Sequence, residues 1–262
     1  MVKPGIAAYY QCYKDPHATI QSILRYRRIY PENTLYLLSD NGYDYSELAK
    51  KCNCIYEHST IVHGGYPSLT RVDDVELFIK RFKKALDHIE EEWVMLLEDD
   101  VVVLNSYDMT LLKNHMNGIN IGAPQDISGS FIQLYKHKQY GNRLRSKILN
   151  DFIRVFNPAH LDDTYYSGWG GTVLHVPFFK NSIKQDKVLY RSIKFLWEHT
   201  DVKLYVTDLI LSFICVINGG SIGPLIELCE KGAYTKSVKV INFEKTWCGV
   251  PMSAKEEALV KL

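Results

Sequence analysis

The chain has 262 residues, 46% of them hydrophobic and 23% charged, which excludes a disordered polypeptide and suits one large α/β domain. Its 31 basic residues are balanced by 30 acidic ones, for a net charge of +1, so a nucleic-acid binder is not expected. The most hydrophobic stretch, Leu209 to Ile217, is too short to cross a bilayer.

The N-terminal segment MVKPGIAAYYQCYKD turns polar too quickly for a signal peptide. Cys12, Cys52, Cys54, Cys215, Cys229 and Cys248 form no CxxC pair. They read as reduced thiols of a cytoplasmic protein, with no structural zinc site expected. Ile6 to Tyr10 is an apolar run fit for a buried strand. Asp15-Pro16 punctuates it, and Ala18 to Tyr30 carries Ile20, Ile23, Leu24 and Arg27 at helical spacing, ended by Pro31. Thr34 to Leu38 reads as a second strand, stopped by the turn signal Ser39-Asp40-Asn41-Gly42. Strand, helix and strand in this order make a βαβ unit with parallel strands.

Cys54 to Tyr56 suggests a third, short strand, and His63 to Pro67 a loop. Leu69 to Ile89 is a helix whose apolar faces come from Val72, Val75, Leu77, Ile79, Phe82, Leu86 and Ile89. Its basic residues Lys80, Arg81, Lys83 and Lys84 read as a solvated face. Trp93 to Leu97 is the most continuous apolar strand, and it runs into Glu98-Asp99-Asp100 before a second apolar run, Val101 to Leu104. Further on, Gly118 to Ala123 suggests a strand and Gly141 to Phe156 a helix. Asp162 to Gly171 is an aromatic, glycine-rich loop. Thr172 to Val176 is a strand ended by Pro177, and Phe178 to His199 is mostly helical. Val202 to Val206 is a further strand, Thr207-Asp208 opens a helix over Leu209 to Ile217, Gly219 and Gly220 cap it, and Ser253 to Leu262 is an amphipathic tail. No repeat or interdomain linker interrupts this order.

Burying three adjacent carboxylates without partners would cost several kcal/mol each, so the acidic triplet needs a reason. In a parallel sheet, ligands bind beyond the carboxyl ends of strands, which is where the triplet follows Trp93 to Leu97. Carboxylates together with a nucleotide diphosphate are the usual ligands of magnesium or manganese, and such a cation neutralises a leaving diphosphate. The competing reading is a strand-end acid run that caps neighbouring backbone amides.

The βαβ opening, the aspartate ending the second strand and the apolar strand running into Glu98-Asp99-Asp100 together resemble the GT-A glycosyltransferases. In that family an acidic DxD-type motif occupies this place. The EDD variant is similar to that of N-acetylglucosaminyltransferases and some family-2 enzymes, of the kind that builds glycans in the cytosol of bacteria or in large DNA viruses. The resemblance is good over about residues 4 to 110 and loose beyond. It implies an α/β, Rossmann-like fold: a mixed, mostly parallel central sheet flanked by helices, one GT-A-like domain over 1–262. Residues 1–110 would bind the nucleotide sugar and 111–262 the acceptor. By position, Ala8, Tyr9 and Tyr10 would line the nucleoside pocket and Asp40 would accept from the base, although Asp40 would equally serve an Asx turn with Asn41-Gly42. Arg71 would touch base or phosphate, or else be a surface arginine. Glu98 and Asp99 would contact the donor, Asp99 at its ribose or sugar, and Asp100 would bind Mn2+ or Mg2+.

The loop of Tyr165 to Gly171 is similar to the Gly-Trp-Gly-Gly acceptor loops of galactosyltransferases. Tyr166, Gly168, Trp169, Gly170 and Gly171 would thus hold an acceptor sugar, the indole stacking on its C–H face. A tight loop around a core tryptophan is the plain alternative. Those relatives continue into an acidic pair, whereas Thr172 follows here. An inverting transferase needs a carboxylate to deprotonate the acceptor hydroxyl. Asp208, at a helix start like the acid of the family's late "ED" motif, is the first candidate, with Thr207 in place of the second acid. Helix capping explains Thr207-Asp208 equally well. Asp163, with Asp162, is the fallback, and a retaining enzyme would need no such base. Many members place a C-terminal histidine on the metal. Here no histidine follows His199, leaving His175, His199 or water.

The function expected is thus metal-dependent sugar transfer from a nucleotide-diphosphate donor, a UDP-sugar favoured, to a glycan or glycoprotein. A sugar nucleotidylyltransferase would need an early glycine-rich loop, which Tyr13-Lys14-Asp15-Pro16 does not supply. GxxxxGK[ST] is absent, excluding a P-loop kinase. A non-catalytic carbohydrate-binding protein on a transferase scaffold is the remaining alternative.

Overall fold

A computed structural model of the chain describes residues 3–12, 15–40, 42–59, 72–98, 101–106, 121–123, 171–184, 210–212, 214–215, 218–224 and 248–251. Its elements are β1 (Lys3–Cys12), α1 (Pro16–Ile29), β2 (Leu35–Ser39), α2 (Ser46–Lys51), β3 (Ile55–His58), α3 (Val72–His88), β4 (Glu91–Leu97), β5 (Val101–Val103), β6 (Ile121–Ala123), β7 (Val173–His175), α4 (Val176–Ile183), β8 (Ile222–Pro224) and β9 (Cys248–Pro251).

Among the described residues, seven strands form one sheet in the order β3-β2-β1-β4-β7-β6-β8, and β5 pairs with β9 in a separate ribbon. β1 is parallel to β2 and β4, β2 to β3, and β6 to β8, while β7 runs antiparallel to both β4 and β6. This is the mixed, mostly parallel α/β sheet expected from the sequence. The chain moves outward from β1 to β3 and then jumps back to β4, so the order of strands reverses between β1 and β4. In open α/β sheets such a reversal is where ligands bind, beyond the carboxyl ends of the strands.

Alternation along the strands sends side chains to two cores. Ile6, Ala8, Tyr10 and Cys12 join Leu35, Leu37, Trp93, Met95 and Leu97 under Ile23 and Tyr26 of α1 and Ala49 of α2. On the opposite face, Tyr9 meets Phe82 of α3 edge-on, ring centroids 5.5 Å apart, and Phe82 in turn meets Phe179 of α4 at 6.4 Å. Both faces of β1 are therefore sealed.

α1 begins earlier than its apolar periodicity suggests. Asp15 caps it, accepting from the amides of His17 (2.9 Å) and Ala18 (3.2 Å), and Pro16 occupies the first turn, where its missing N–H costs nothing. Arg27, read as part of the helical stripe, reaches past its own helix end. It donates to the carbonyls of Tyr30, Pro31 and Asn33 and to those of Cys52 and Asn53, at 2.7 to 3.2 Å. One guanidinium thereby ties the α1–β2 loop to the α2–β3 turn. Pro177 starts α4 instead of only ending β7, for the same reason that Pro16 suits α1. The C-cap expected at Gly219-Gly220 is present: Gly219 has φ +77° and the Gly220 amide donates to Cys215 O at 2.8 Å. α2, β5, β8 and β9 are short elements without a periodic signal. The expected helices over 141–156 and 253–262 and the strand over 202–206 lie outside the described residues.

Candidate functional site

β4 carries the site. In register, Tyr9 stands beside Leu96 and Tyr10 beside Leu97, so β4 ends level with Tyr10 while β1 runs on through Gln11 to Cys12. Glu98, half-buried, follows Leu97, and its carbonyl accepts from the amide of Val101 at 3.0 Å, tying together the two ends of the acidic segment. From the other side comes β7. The amide of Leu96 donates to Thr172 O, and Leu96 O accepts from the amide of Gly171, both at 2.8 Å. Gly171 and Thr172 thus both address Leu96, the two-against-one pairing of a β-bulge. Gly171 has φ +75°, a conformation that disfavours a side chain, so a glycine is required where the aromatic loop joins the sheet. The last residue of that loop and the first residue of the acidic triplet consequently lie at one strand end, on either side of Leu97.

A second polar cluster sits at the carboxyl ends of β1, β2 and β3. Asp40, just beyond β2, is fully buried. Its Oδ1 accepts from Arg81 Nη1 at 2.9 Å and its Oδ2 from Gln11 Nε2 at 2.8 Å. Arg81, 8% exposed, also donates through Nη2 to the Ser59 hydroxyl, and the Ser59 amide donates to Ser39 O at 3.0 Å. Because the Gln11 amide turns its NH2 group to the Asp40 carboxylate, its Oε1 is left facing the other way. That oxygen is buried and has no hydrogen-bond partner. Beneath the cluster, burial and then the charge of Asp40 push the Tyr9 phenol well up from its ordinary pKa.

These placements revise several expectations. Arg81 does not belong to a solvated basic face; it is the buried partner of Asp40, one helical turn from Phe78 and Ala85 on the apolar side of α3. Lys84 does remain on the surface side, 2.9 Å from Glu57. The side chains of Ala8, Tyr9 and Tyr10, expected at a nucleoside pocket, lie inside the two cores. All three are fully buried, since a central strand covered on both faces has no free side. Each Asp40 carboxylate oxygen accepts a hydrogen bond within the protein, from Arg81 and from Gln11. His175 lies across from Trp93, toward the amino end of β4. Five residues of strand separate Trp93 from Glu98, roughly 16 Å at about 3.3 Å per residue, so His175 is not a ligand of the acidic segment. Burial, opposed by Glu92, holds the His175 imidazole below its ordinary pKa. Gln11, Ser59 and Arg81 were not singled out from the sequence. The one available signal was the position of Arg81 within the apolar repeat of α3.

Arg71, Asp99, Asp100, Asp162, Asp163, Tyr166, Gly168, Trp169, Gly170, His199 and Asp208 lie outside the described residues. Among the described residues, no cluster of histidine, cysteine, aspartate or glutamate is suited to hold a metal ion. No described helix is long and apolar enough to cross a membrane.

No protein-family model matches the chain, and no curated protein matches it. Among solved structures, it is similar to the galactosyltransferase LgtC in complex with donor and acceptor sugar analogs: 15% identity, 83% of this chain and 72% of that one, TM-score 0.44. An active-site mutant of LgtC gives 13% identity over the same shares, also with TM-score 0.44. The apo bifunctional glycosyltransferase WbbM gives 11% identity over 94% of this chain and 45% of that one, with TM-score 0.43.

Proposed function

We propose that the chain is a metal-dependent glycosyltransferase of the GT-A kind. It transfers a sugar from a nucleotide-diphosphate donor, a UDP-sugar in the favoured form, to a glycan or glycoprotein acceptor. Residues 1–110 form its donor half and 111–262 its acceptor half. The observation that carries this reading is the meeting of two chemically distinct segments at the end of β4. The acidic triplet begins at Glu98, and the Gly/Trp loop enters the sheet at Gly171, hydrogen-bonded to Leu96.

The donor set fits a hard divalent cation. It would consist of carboxylate oxygens, following the carboxyl end of β4, without His175, which pairs with Trp93 toward the other end of that strand. Asp100, with Glu98 and Asp99 beside it, would hold Mn2+ or Mg2+. When bound, the cation supplies charge neutralisation for the leaving diphosphate. Gln11 Oε1, buried here and without a partner, would accept from a base N–H if the donor reaches it, with Asp40 and Arg81 fixing the amide behind it. Trp169 and the glycines around it would seat the acceptor sugar. Asp208, or failing it Asp163, would take the proton from the attacking hydroxyl, giving inversion at the anomeric carbon.

Calorimetry with UDP, GDP and dTDP, each with and without manganese, tests the reading. Manganese-dependent binding of UDP is the expected result. Binding of free sugar with no binding of any nucleoside diphosphate would replace the transferase by a carbohydrate-binding module.

A further inference from the structure

β7 is the strand that reverses direction in the sheet. It pairs antiparallel with β4 through Met95↔Val173, Val94↔Leu174 and Trp93↔His175, and antiparallel with β6 on its other edge. Among the described residues, β6 and β8 join the sheet through it. The last pair of the β4–β7 seam, Trp93 with His175, is chemically unlike the other two. Its ring centroids lie 5.0 Å apart, with the planes tilted by 59°. Trp93 is 2% exposed, and its indole Nε1–H is buried with no hydrogen-bond partner. His175, itself half-buried, has its Nδ1 buried and likewise without a partner. Its Nε2 lies on the Glu92 side, 3.9 Å from Oε1.

An indole N–H can only donate, whereas a neutral imidazole carries one donor and one acceptor. With its hydrogen on Nε2, toward Glu92, neutral His175 offers in Nδ1 the acceptor that Trp93 lacks, directly or through one water. Protonation turns Nδ1 into a second donor. Two buried N–H groups then share the seam with no acceptor between them, and a buried donor left unsatisfied is destabilising. The backbone adds to this. His175 is the N-cap of α4 and makes no side-chain cap hydrogen bond, so an added positive charge stands at the positive end of the helix dipole.

Among the described residues, the other charged groups on the surrounding elements are turned elsewhere. Glu91 of β4 accepts from Thr34 and Lys3, and Lys180 of α4 donates to Ile89 O at 2.7 Å. Lys184 stands at the far end of α4. Arg25 and Arg27 of α1 donate to the carbonyls of Val103 and Cys52, and β6 carries no charged residue. Glu92 is the charge that faces the imidazole. Burial outweighs it and holds His175 below its ordinary value of 6.5.

We propose that His175 is an acid-sensitive latch: neutral, it holds β7 and the start of α4 on β4, and protonated, it loosens them. Gly171, where the aromatic loop enters the sheet, lies four residues earlier in the chain and loosens with them. The latch does not depend on the proposed sugar transfer. Because folding disfavours the proton on His175, the latch is fully closed above the ordinary value of 6.5 and weakens as pH falls below it toward the lower, folded value. Linkage limits the loss to about ten-fold for each pH unit in that window.

Hydrogen exchange of peptides covering 171–184, corrected for the intrinsic effect of pH, tests this on the full chain at about pH 7.5 and about pH 5.5. The proteins are the wild type, His175→Phe, which keeps a ring but does not titrate, and His175→Gln, which keeps an acceptor at both pH values. The wild type is expected to lose protection in this segment several-fold, up to about ten-fold, at the lower pH. Peptides from β1 and β2 should not follow, and neither variant should show the extra loss. An equal loss in all three proteins would overturn the inference. Should neither variant fold, proton NMR of the wild type decides. The Trp93 indole N–H resonance is expected to move with the His175 imidazole, through a midpoint below 6.5. A stationary indole, or a midpoint at or above 6.5, would overturn the inference as well.

Discussion

Arg81 and Asp40 are 41 residues apart in the chain, yet their Nη1 and Oδ1 atoms lie 2.9 Å apart with both side chains buried. The pair joins the middle of α3 to the end of β2, and Gln11 completes it from β1. Removing one partner leaves an uncompensated charge inside the protein. Asp40→Asn or Arg81→Met alone should therefore cost about 3–5 kcal/mol. The double variant should be less harmful than the sum of the two. Urea unfolding of all four proteins in a double-mutant cycle measures this, and strict additivity would mean that the two residues do not act as a pair.

The Gln11 amide makes a narrower prediction. Gln11→Met keeps volume but removes the unpartnered Oε1 acceptor, so UDP should bind less tightly, by about ten-fold for a hydrogen bond to a buried base. Binding of free manganese-diphosphate, which lacks a base, should be unaffected. Calorimetry with UDP and with pyrophosphate, each at saturating manganese, separates these, and an equal loss for both ligands would show that Gln11 does not read the base.

Three substitutions address the proposed chemistry. Asp100→Ala should abolish manganese-dependent turnover while the far-UV spectrum and melting temperature stay near wild type. Asp208→Asn should lower kcat by about 10²–10⁴-fold, the range of a lost general base, with donor binding nearly unchanged. Trp169→Ala should raise the KM for acceptor more than that for donor. Steady-state kinetics with the donor and acceptor varied separately checks all three. Wild-type turnover by Asp100→Ala would remove that residue from the metal site.

Glu91 predicts a pH dependence at the opposite end of the sheet. Its Oε1 accepts from the Thr34 amide at 2.9 Å and from Lys3 Nζ at 3.1 Å. Burial alone would raise its pKa, but these hydrogen bonds outweigh it and hold the carboxyl below its ordinary value of 4.5. The unfolded chain therefore takes up its proton first as the solution is acidified. The stabilisation is complete above the ordinary carboxylate range and is lost as pH falls through the lower, folded value. Urea midpoints followed from about pH 6 to pH 3 should fall more steeply for the wild type than for Glu91→Gln. Parallel slopes would show that this carboxylate does not couple to folding.

Thr19 gives a prediction of opposite sign. It is fully buried in α1 and its hydroxyl has no hydrogen-bond partner. Thr19→Val replaces the hydroxyl with a methyl of the same shape and removes that desolvation penalty. The protein should gain about 1 kcal/mol in urea unfolding. A loss of stability would reveal a partner, such as water, for that oxygen.

Much of the donor half was legible from local pattern. β1, α1, β2, α3 and β4 announce themselves through apolar runs, helical spacing and the punctuation of Asp15-Pro16, Pro31 and Asp40-Asn41-Gly42, because each feature depends only on neighbours within a turn or two. The α/β class and the position of the acidic triplet at a strand end followed from the same information. The short elements α2, β5, β8 and β9 did not, since three to six residues are too few to display a period. The meetings of Gly171 with Leu96 and of His175 with Trp93 were equally invisible.

The residues at the edge of the site mark the division most clearly. In the sequence, Arg81 is one of four basic residues on a helix, Gln11 one polar residue ending an apolar run, and Asp40 one turn-forming aspartate. Their identities were set by the sequence, but their roles were not, because a buried ion pair forms only when a crossover helix lays one charge over the strand that ends in the other. Hydrophobic periodicity acts along the chain and can be read there. Pairing of charges across 41 residues acts through space, and only the packing of α3 on β2 decided it.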